Sequence, residues 1–164
     1  MAAARTLLAT AVLALVAITP TAAGTYQSGM AALGREDDVT AARTFWPLAQ
    51  AGDARAQAIL GYMFANGRGV PQNYIEAASW YRRASEQGNS NAQYNLGLMY
   101  DKGQGVPQDY VEAYKWLDLA AGQAGGRARQ DWVRIRDAVA SKLSLVQVTE
   151  GQRRALEWRP ARER

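Results

Sequence analysis

Two Gly-x-Gly pairs, Gly67/Gly69 and Gly103/Gly105, are the segments of this chain closest in type to a phosphate-binding loop. A dinucleotide fingerprint needs a strand before the loop and a third glycine. Here each pair follows a helical pattern and the third glycine is missing, so a structural turn is the expected role. Glu76 and Glu112 are the other chemical candidates, as a general acid and a general base. They stand at equivalent places in two similar segments, where an acidic residue caps a helix, so a structural role is expected for them too. The 164 residues include no cysteine and no histidine. This excludes disulfides, thiolate nucleophiles, Cys/His zinc sites and histidine-based triads. No Gly-x-Ser-x-Gly segment flags a serine nucleophile. The residues therefore predict no catalytic group, no metal site and no cofactor.

The elements that carry these residues come in duplicate. Residues 53–88 and 89–124 match at sixteen of 36 positions. A period of this size implies stacked repeats, each too small to bury its own apolar face. In the first unit Ala56, Leu60, Met63 and Phe64 recur at helical spacing. Gly67 is placed to end that helix in a left-handed conformation. The turn through Gly69, Val70 and Pro71 cannot be helical. Asn73 with Glu76, and Asp109 with Glu112, read as capping boxes for the next helix. That helix sets Ala77, Trp80, Tyr81 and Ala84 on one face, and the second unit repeats this with Ala113, Trp116 and Ala120. Gly61 and Gly97 sit inside helices at a cost of about 1 kcal/mol each, which is tolerable where a partner helix comes close. The small residues Ala77 and Ala84, or Ala113 and Ala120, are the expected points of approach. Trp80 and Trp116 are the expected wedges of the core.

The pattern Ala-x-x-x-Leu-Gly-x-x-(Phe/Tyr)-x-x-Gly-x-Gly-Val-x-x-(Asn/Asp)-Tyr-x-x-Ala-x-x-Trp-x-x-x-Ala runs from Ala56 to Ala84 and again, through Leu96, Gly97, Gly103 and Gly105, to Ala120. It resembles the Sel-one-like repeat family, relatives of the tetratricopeptide repeats. The resemblance implies an all-α fold, an α/α solenoid of antiparallel helix pairs, and a non-catalytic role in protein–protein or protein–peptide binding. By analogy with tetratricopeptide geometry, the groove would be lined by Arg55, Ala58, Tyr62 and Ala65 of the first unit. Asn91, Tyr94, Leu98, Asp101 and Lys102 would line it in the second. These positions differ between the units, as a ligand-facing surface would. Tyr62, Tyr94 and Leu98 are equally suited to packing between repeats, so both roles stay open.

The flanks complete the organisation. Residues 1–23 combine a charged start, the apolar run Leu7–Ile18, Pro20 and small residues, the pattern of an export signal. Residues 24–52 read as a partial helix pair without the glycine loop, with a kink expected at Pro47. Residues 125–160 read as capping helices, with Ala128, Trp132, Ile135, Val139 and Leu143 on one stripe and a capping box at Ser144 and Gln147. Residues 161–164 form a loose tail. Charge is uneven: residues 24–126 carry 8 Lys/Arg against 10 Asp/Glu, and residues 127–164 carry 10 against 5. The basic segment 127–164 is a candidate clamp for an acidic partner or an anionic membrane surface. Together these features predict an exported scaffold, periplasmic or extracellular in a bacterial envelope. No nucleic-acid partner is expected, and no membrane span once the signal is cleaved. The alternatives are a cell-wall-active or lactam-hydrolysing enzyme and a peripheral membrane protein using the basic helices. The absence of cysteine separates this chain from the cysteine-rich secreted relatives linked to such hydrolysis.

Overall fold

The computed structural model describes residues 22–161. The expected export signal, apart from its last two residues, lies outside them, as do residues 162–164 of the expected tail. The described residues form eight α-helices and no strand. In chain order these are α1 (Ala22–Gly34), α2 (Asp38–Gln50), α3 (Ala54–Asn66), α4 (Tyr74–Glu86), α5 (Ser90–Lys102), α6 (Tyr110–Gln123), α7 (Gly126–Ala140) and α8 (Leu145–Glu157). The helices α1 and α2, α3 and α4, and α5 and α6 pack as pairs, and each pair stacks on the next. This is an α/α solenoid.

Local chemistry starts and stops each helix. The side chains of Asp37, Asp53, Asn73, Asn89 and Asp109 accept backbone N–H bonds in the first turns of α2 to α6. Gly67 and Gly103 end α3 and α5 at φ of 66° and 67°. The capping boxes expected at Asn73 and Asp109 do not close. The N–H groups of Asn73 and Asp109 donate instead to the carbonyls of Phe64 and Tyr100. That bond ties each loop back to the helix before it, so Glu76 and Glu112 are released from capping. The box at Ser144 and Gln147 does close, in both directions. Pro47 lies inside α2, which continues to Gln50.

The repeat positions form the core. Leu60, Leu96, Ala77, Ala84, Ala113 and Ala120 are fully buried, and Trp80 and Trp116 nearly so. The helical glycines meet large side chains of the partner helix, and Gly97 also meets the expected Ala113, whose carbonyl oxygen would lie 3.2 Å from an added Cβ. A Cβ at Gly61 would stand 2.7 Å from the Tyr81 ring, and one at Gly97 would stand 2.8 Å from Leu117 Cγ. Each glycine is a hollow for a large side chain of the partner helix, and residues 81 and 117 occupy the same place in their units. The first pair obeys the same rule. Gly29 receives Phe45, whose ring would lie 2.6 Å from an added Cβ. Phe45 is 36 residues before Tyr81, but Gly29 is only 32 before Gly61. The α1–α2 pair is thus a unit with a loop four residues shorter.

The second glycine of each Gly-x-Gly has a different cause. Gly69 and Gly105 have φ of 69° and 70°, and a Cβ there would lie 2.1 Å from Asp38 O and 2.0 Å from Tyr74 O. The loop backbone therefore rests on the first turn of the preceding unit's second helix. Arg68 reinforces one such contact with two 2.8 Å bonds to the Asp38 carboxylate, which raise its pKa further. An amide relay through the buried Gln57 and Gln93 makes a further contact between units. Gln57 donates to Ala49 O, and Gln87 donates to Gln57 Oε1. Gln93 to Ser85 O and Gln123 to Gln93 Oε1 repeat it one unit on.

The last two helices break the pattern. Both α7 and α8 pack on α6, whereas the earlier helices pair with each other. Gly151 admits the Tyr114 ring at 2.8 Å from an added Cβ, and Trp158 meets Trp116 edge-on at 6.3 Å. On α7 Val139 is buried and Trp132 and Ile135 are half-buried, but Ala128 is exposed and leaves the expected stripe.

Candidate binding face

The helices α3 and α5 lead successive units, and their C-terminal halves frame a cleft of about 340 Å³. Tyr62, Ala65 and Asn66 line it from α3, and Asn95, Leu98 and Lys102 from α5. Tyr74, Tyr81, Met99 and Gln104 complete its lining. Tyr62 is 44% exposed, with the Arg68 guanidinium 5.9 Å from its ring centroid. Asn66 and Asn95 each donate through Nδ2 to the carbonyl four residues back, Tyr62 O and Asn91 O. Their Oδ1 atoms remain as acceptors. Burial pushes the Tyr81 phenol well above its ordinary pKa. Lys102 is exposed at the rim without a carboxylate partner among the described residues. The cleft thus offers an aromatic face, an apolar wall, amide acceptors and one cation.

This geometry divides the residues expected in the groove. Tyr62, Ala65, Leu98 and Lys102 come together in the cleft. Tyr94 does not: its ring stacks on Trp132 of α7 at 4.9 Å, with 16° between the planes. Asp101 is taken by Lys142 at 2.6 Å. Arg55 pairs with Asp53 and lies 4.4 Å over the Tyr26 ring. Ala58 packs half-buried against the core, and Asn91 is exposed beside the cap. Sequence reasoning missed Asn66, Tyr74, Asn95 and Gln104. Their signal was adjacency: each lies within five residues of a groove position or a loop glycine.

The basic segment finds its acids inside the chain. Lys142 pairs with Asp101, Arg136 with Asp118 at 2.8 Å, and Arg154 with Glu112 at 2.7 Å. All three carboxylates belong to the second unit. The charge asymmetry between the two halves is in good part a clamp that docks α7 and α8 on α5 and α6. Glu112 also holds Lys115 at 3.2 Å, while Glu76 is exposed on α4. These two glutamates form no acid/base pair. Among the described residues no three His, Cys, Asp or Glu side chains gather to hold a metal ion.

Stacked helix pairs, a glycine-loop seal between units and a solvent-facing cleft between leading helices define a repeat scaffold of the α/α solenoid class. The model of the Sel1 repeat matches residues 54–89 and 90–124. A Sel1 repeat protein from Oxalobacter formigenes, solved by crystallography, superposes with a TM-score of 0.61 at 35% identity, covering 70% of this chain and 90% of that one. The crystal structure of c5321, a protective antigen of uropathogenic Escherichia coli strains with an SLR fold, superposes with a TM-score of 0.76 at 30% identity. That match covers 84% of this chain, which spans 29% of the antigen's length. No curated protein matches this chain. The chain belongs to the Sel1 repeat family. Proteins of this family generally mediate protein–protein interaction and are typically non-catalytic scaffolds.

Proposed function

We propose that this chain is an exported, non-catalytic scaffold that holds an extended segment of another protein in the cleft between α3 and α5. The observation that carries the reading is that the exposed Tyr62, Leu98 and the unpaired Lys102 line one cleft. An extended peptide needs its backbone N–H groups accepted, which the Asn66 and Asn95 Oδ1 atoms supply. An acidic side chain of the peptide suits Lys102. Export is supported by the charged start, apolar run and small residues of positions 1–23. No helix among the described residues is long and apolar enough to cross a membrane.

The test is selection of displayed random peptides on the purified chain. Selected peptides are expected to be enriched in acidic residues, and binding is expected to fall at least tenfold in Tyr62→Ala and Lys102→Glu. Ile75→Ala, an exposed change on α4, leaves binding intact. Peptides that bind equally well to both cleft variants overturn the assignment. Hydrolysis of a cell-wall or lactam substrate that is lost on mutating Glu76 or Glu112 overturns the non-catalytic reading.

A further inference from the structure

We propose, resting on the peptide-holding role of the cleft between α3 and α5, that the same bound segment continues over α1 and sets a bulky apolar side chain in a second subsite between α1 and α3. Met30, Tyr62 and Leu98 each follow a helical glycine by one residue. Those glycines receive Phe45, Tyr81 and Leu117 from the partner helices, so the three units share one register. The next residue stands about 100° round each helix from that contact. Tyr62 and Leu98 line the cleft from this position, and Met30 holds the same place on α1. Met30 is 42% exposed, close to the 44% of Tyr62. Tyr62 is common to both sites, so the second continues the first.

The same register gives the chemistry of the second subsite. One unit back, Asn95 of the cleft is replaced by Ile59, Lys102 by Asn66, Tyr81 by Phe45 and Asn66 by Gly34. Each exchange removes an amide, a charge or a hydroxyl. Leu33, in the place of Ala65, and Ile59 are only partly buried against the core. The 13 residues of α1 include no charged side chain. Asp38 and Arg68, at the places of Tyr74 and Gln104, neutralise each other at 2.8 Å. An acidic side chain therefore finds its cation at Lys102, and an apolar one finds its surface at Met30. The partner is an extended amphiphilic segment, with a bulky aliphatic or aromatic residue over α1 and an acid over α5.

The test uses the full chain and a library of displayed random peptides. Selected peptides are expected to pair an acidic residue with a bulky apolar one at a fixed spacing. Replacing that apolar residue by alanine is expected to weaken binding by about fivefold, the scale of covering part of one such side chain. Met30→Ala is expected to do the same, and both changes together are expected to cost no more than either alone. Selection on Met30→Asp is expected to keep the acid and lose the apolar residue, with helical circular dichroism unchanged. Selected peptides that carry an acid without an apolar residue overturn the subsite. So do additive losses in the paired changes, which place the apolar residue elsewhere on the chain. Wild-type binding by Met30→Ala and Met30→Asp, with weak binding by Tyr62→Ala and Lys102→Glu, overturns the subsite and leaves the cleft as the binding site. If none of the four variants weakens binding, the cleft fails as the site and the subsite fails with it.

Discussion

A methyl group added at Gly97 would stand 2.8 Å from Leu117 Cγ and 3.2 Å from the Ala113 carbonyl oxygen. The leucine can shift by tenths of an ångström, so Gly97→Ala should cost about 1–3 kcal/mol, the usual penalty of overpacking. Gly105→Ala should cost more. Its Cβ would lie 2.0 Å from Tyr74 O, a backbone atom that cannot swing away, and its φ of 70° is itself unfavourable for alanine. Gly122, inside α6, has nothing within 4 Å of an added Cβ. Gly122→Ala should therefore stabilise the chain by roughly 0.5–1 kcal/mol, as glycine to alanine does in an open helix. Urea denaturation of the three variants checks the order. An equal effect at Gly97 and Gly105 would show that the loop seal between units carries no special strain. The glycines themselves were visible in the sequence, and so was the need for a close partner. Which partner fills each hollow was not, because that depends on how far the second helix is rotated about its axis, a property of the packed pair.

At the scale of elements, helix boundaries were the most legible feature. Caps such as Asn73 and Asp109 and left-handed stops such as Gly67 and Gly103 act within a few residues of themselves. The fates of Tyr94 and of the basic segment were hidden for the opposite reason. Tyr94 is covered by Trp132, which lies 38 residues on, and no repeat period announces that contact. Trp132→Ala should uncover Tyr94 and loosen α7, at a cost of about 1–3 kcal/mol for a half-buried aromatic ring. Hydrogen exchange in α7 should rise while that of α3 and α4 stays slow. Uniform loss of protection would mean that α7 is not a separately docked element. The ion pairs of α8 add a pH dependence. Hydrogen bonds from Arg153, and then from Arg154, hold the Glu150 carboxyl down at about 2 from its ordinary 4.5. A carboxylate with a lowered folded pKa adds stability that is fully present above about 4.5 and is lost as the pH falls towards 2. The melting temperature of the wild type should thus fall over that window, and Glu150→Gln should flatten the fall. An identical acid profile in the variant would remove α8 from the account.

Across the whole molecule, the glycine-loop and amide contacts between units recur at 36 residues. Gly105 rests on the Tyr74 carbonyl as Gly69 rests on Asp38, and Gln93 reaches Ser85 as Gln57 reaches Ala49. A structure built this way has no centre, and its stability grows with the number of matched interfaces. It follows that a second copy of residues 53–88, inserted after Gly88, has its glycine-loop and amide contacts supplied. The copy's glycine loop would seat on the Tyr74 carbonyl, and its Gln57 would reach Ser85. Its own Gly88, at φ of 90° in the native unit, would supply the turn into α5. Two side-chain contacts would change: Phe64 and Trp80 of the copy would meet Arg82 where the originals meet Trp46, and Arg68 of the copy would meet Tyr74 where the original meets Asp38, so that arginine is changed to Gln, the residue at this place in the second unit. The lengthened chain should gain helical signal in proportion to its added helices and unfold at a higher urea concentration than the parent. If it instead unfolded earlier, or in two separate steps, the end-specific contacts of α7 and α8 would outweigh the repeated ones. The chain would then be better described as a single domain with a repeated sequence than as a solenoid that has been capped.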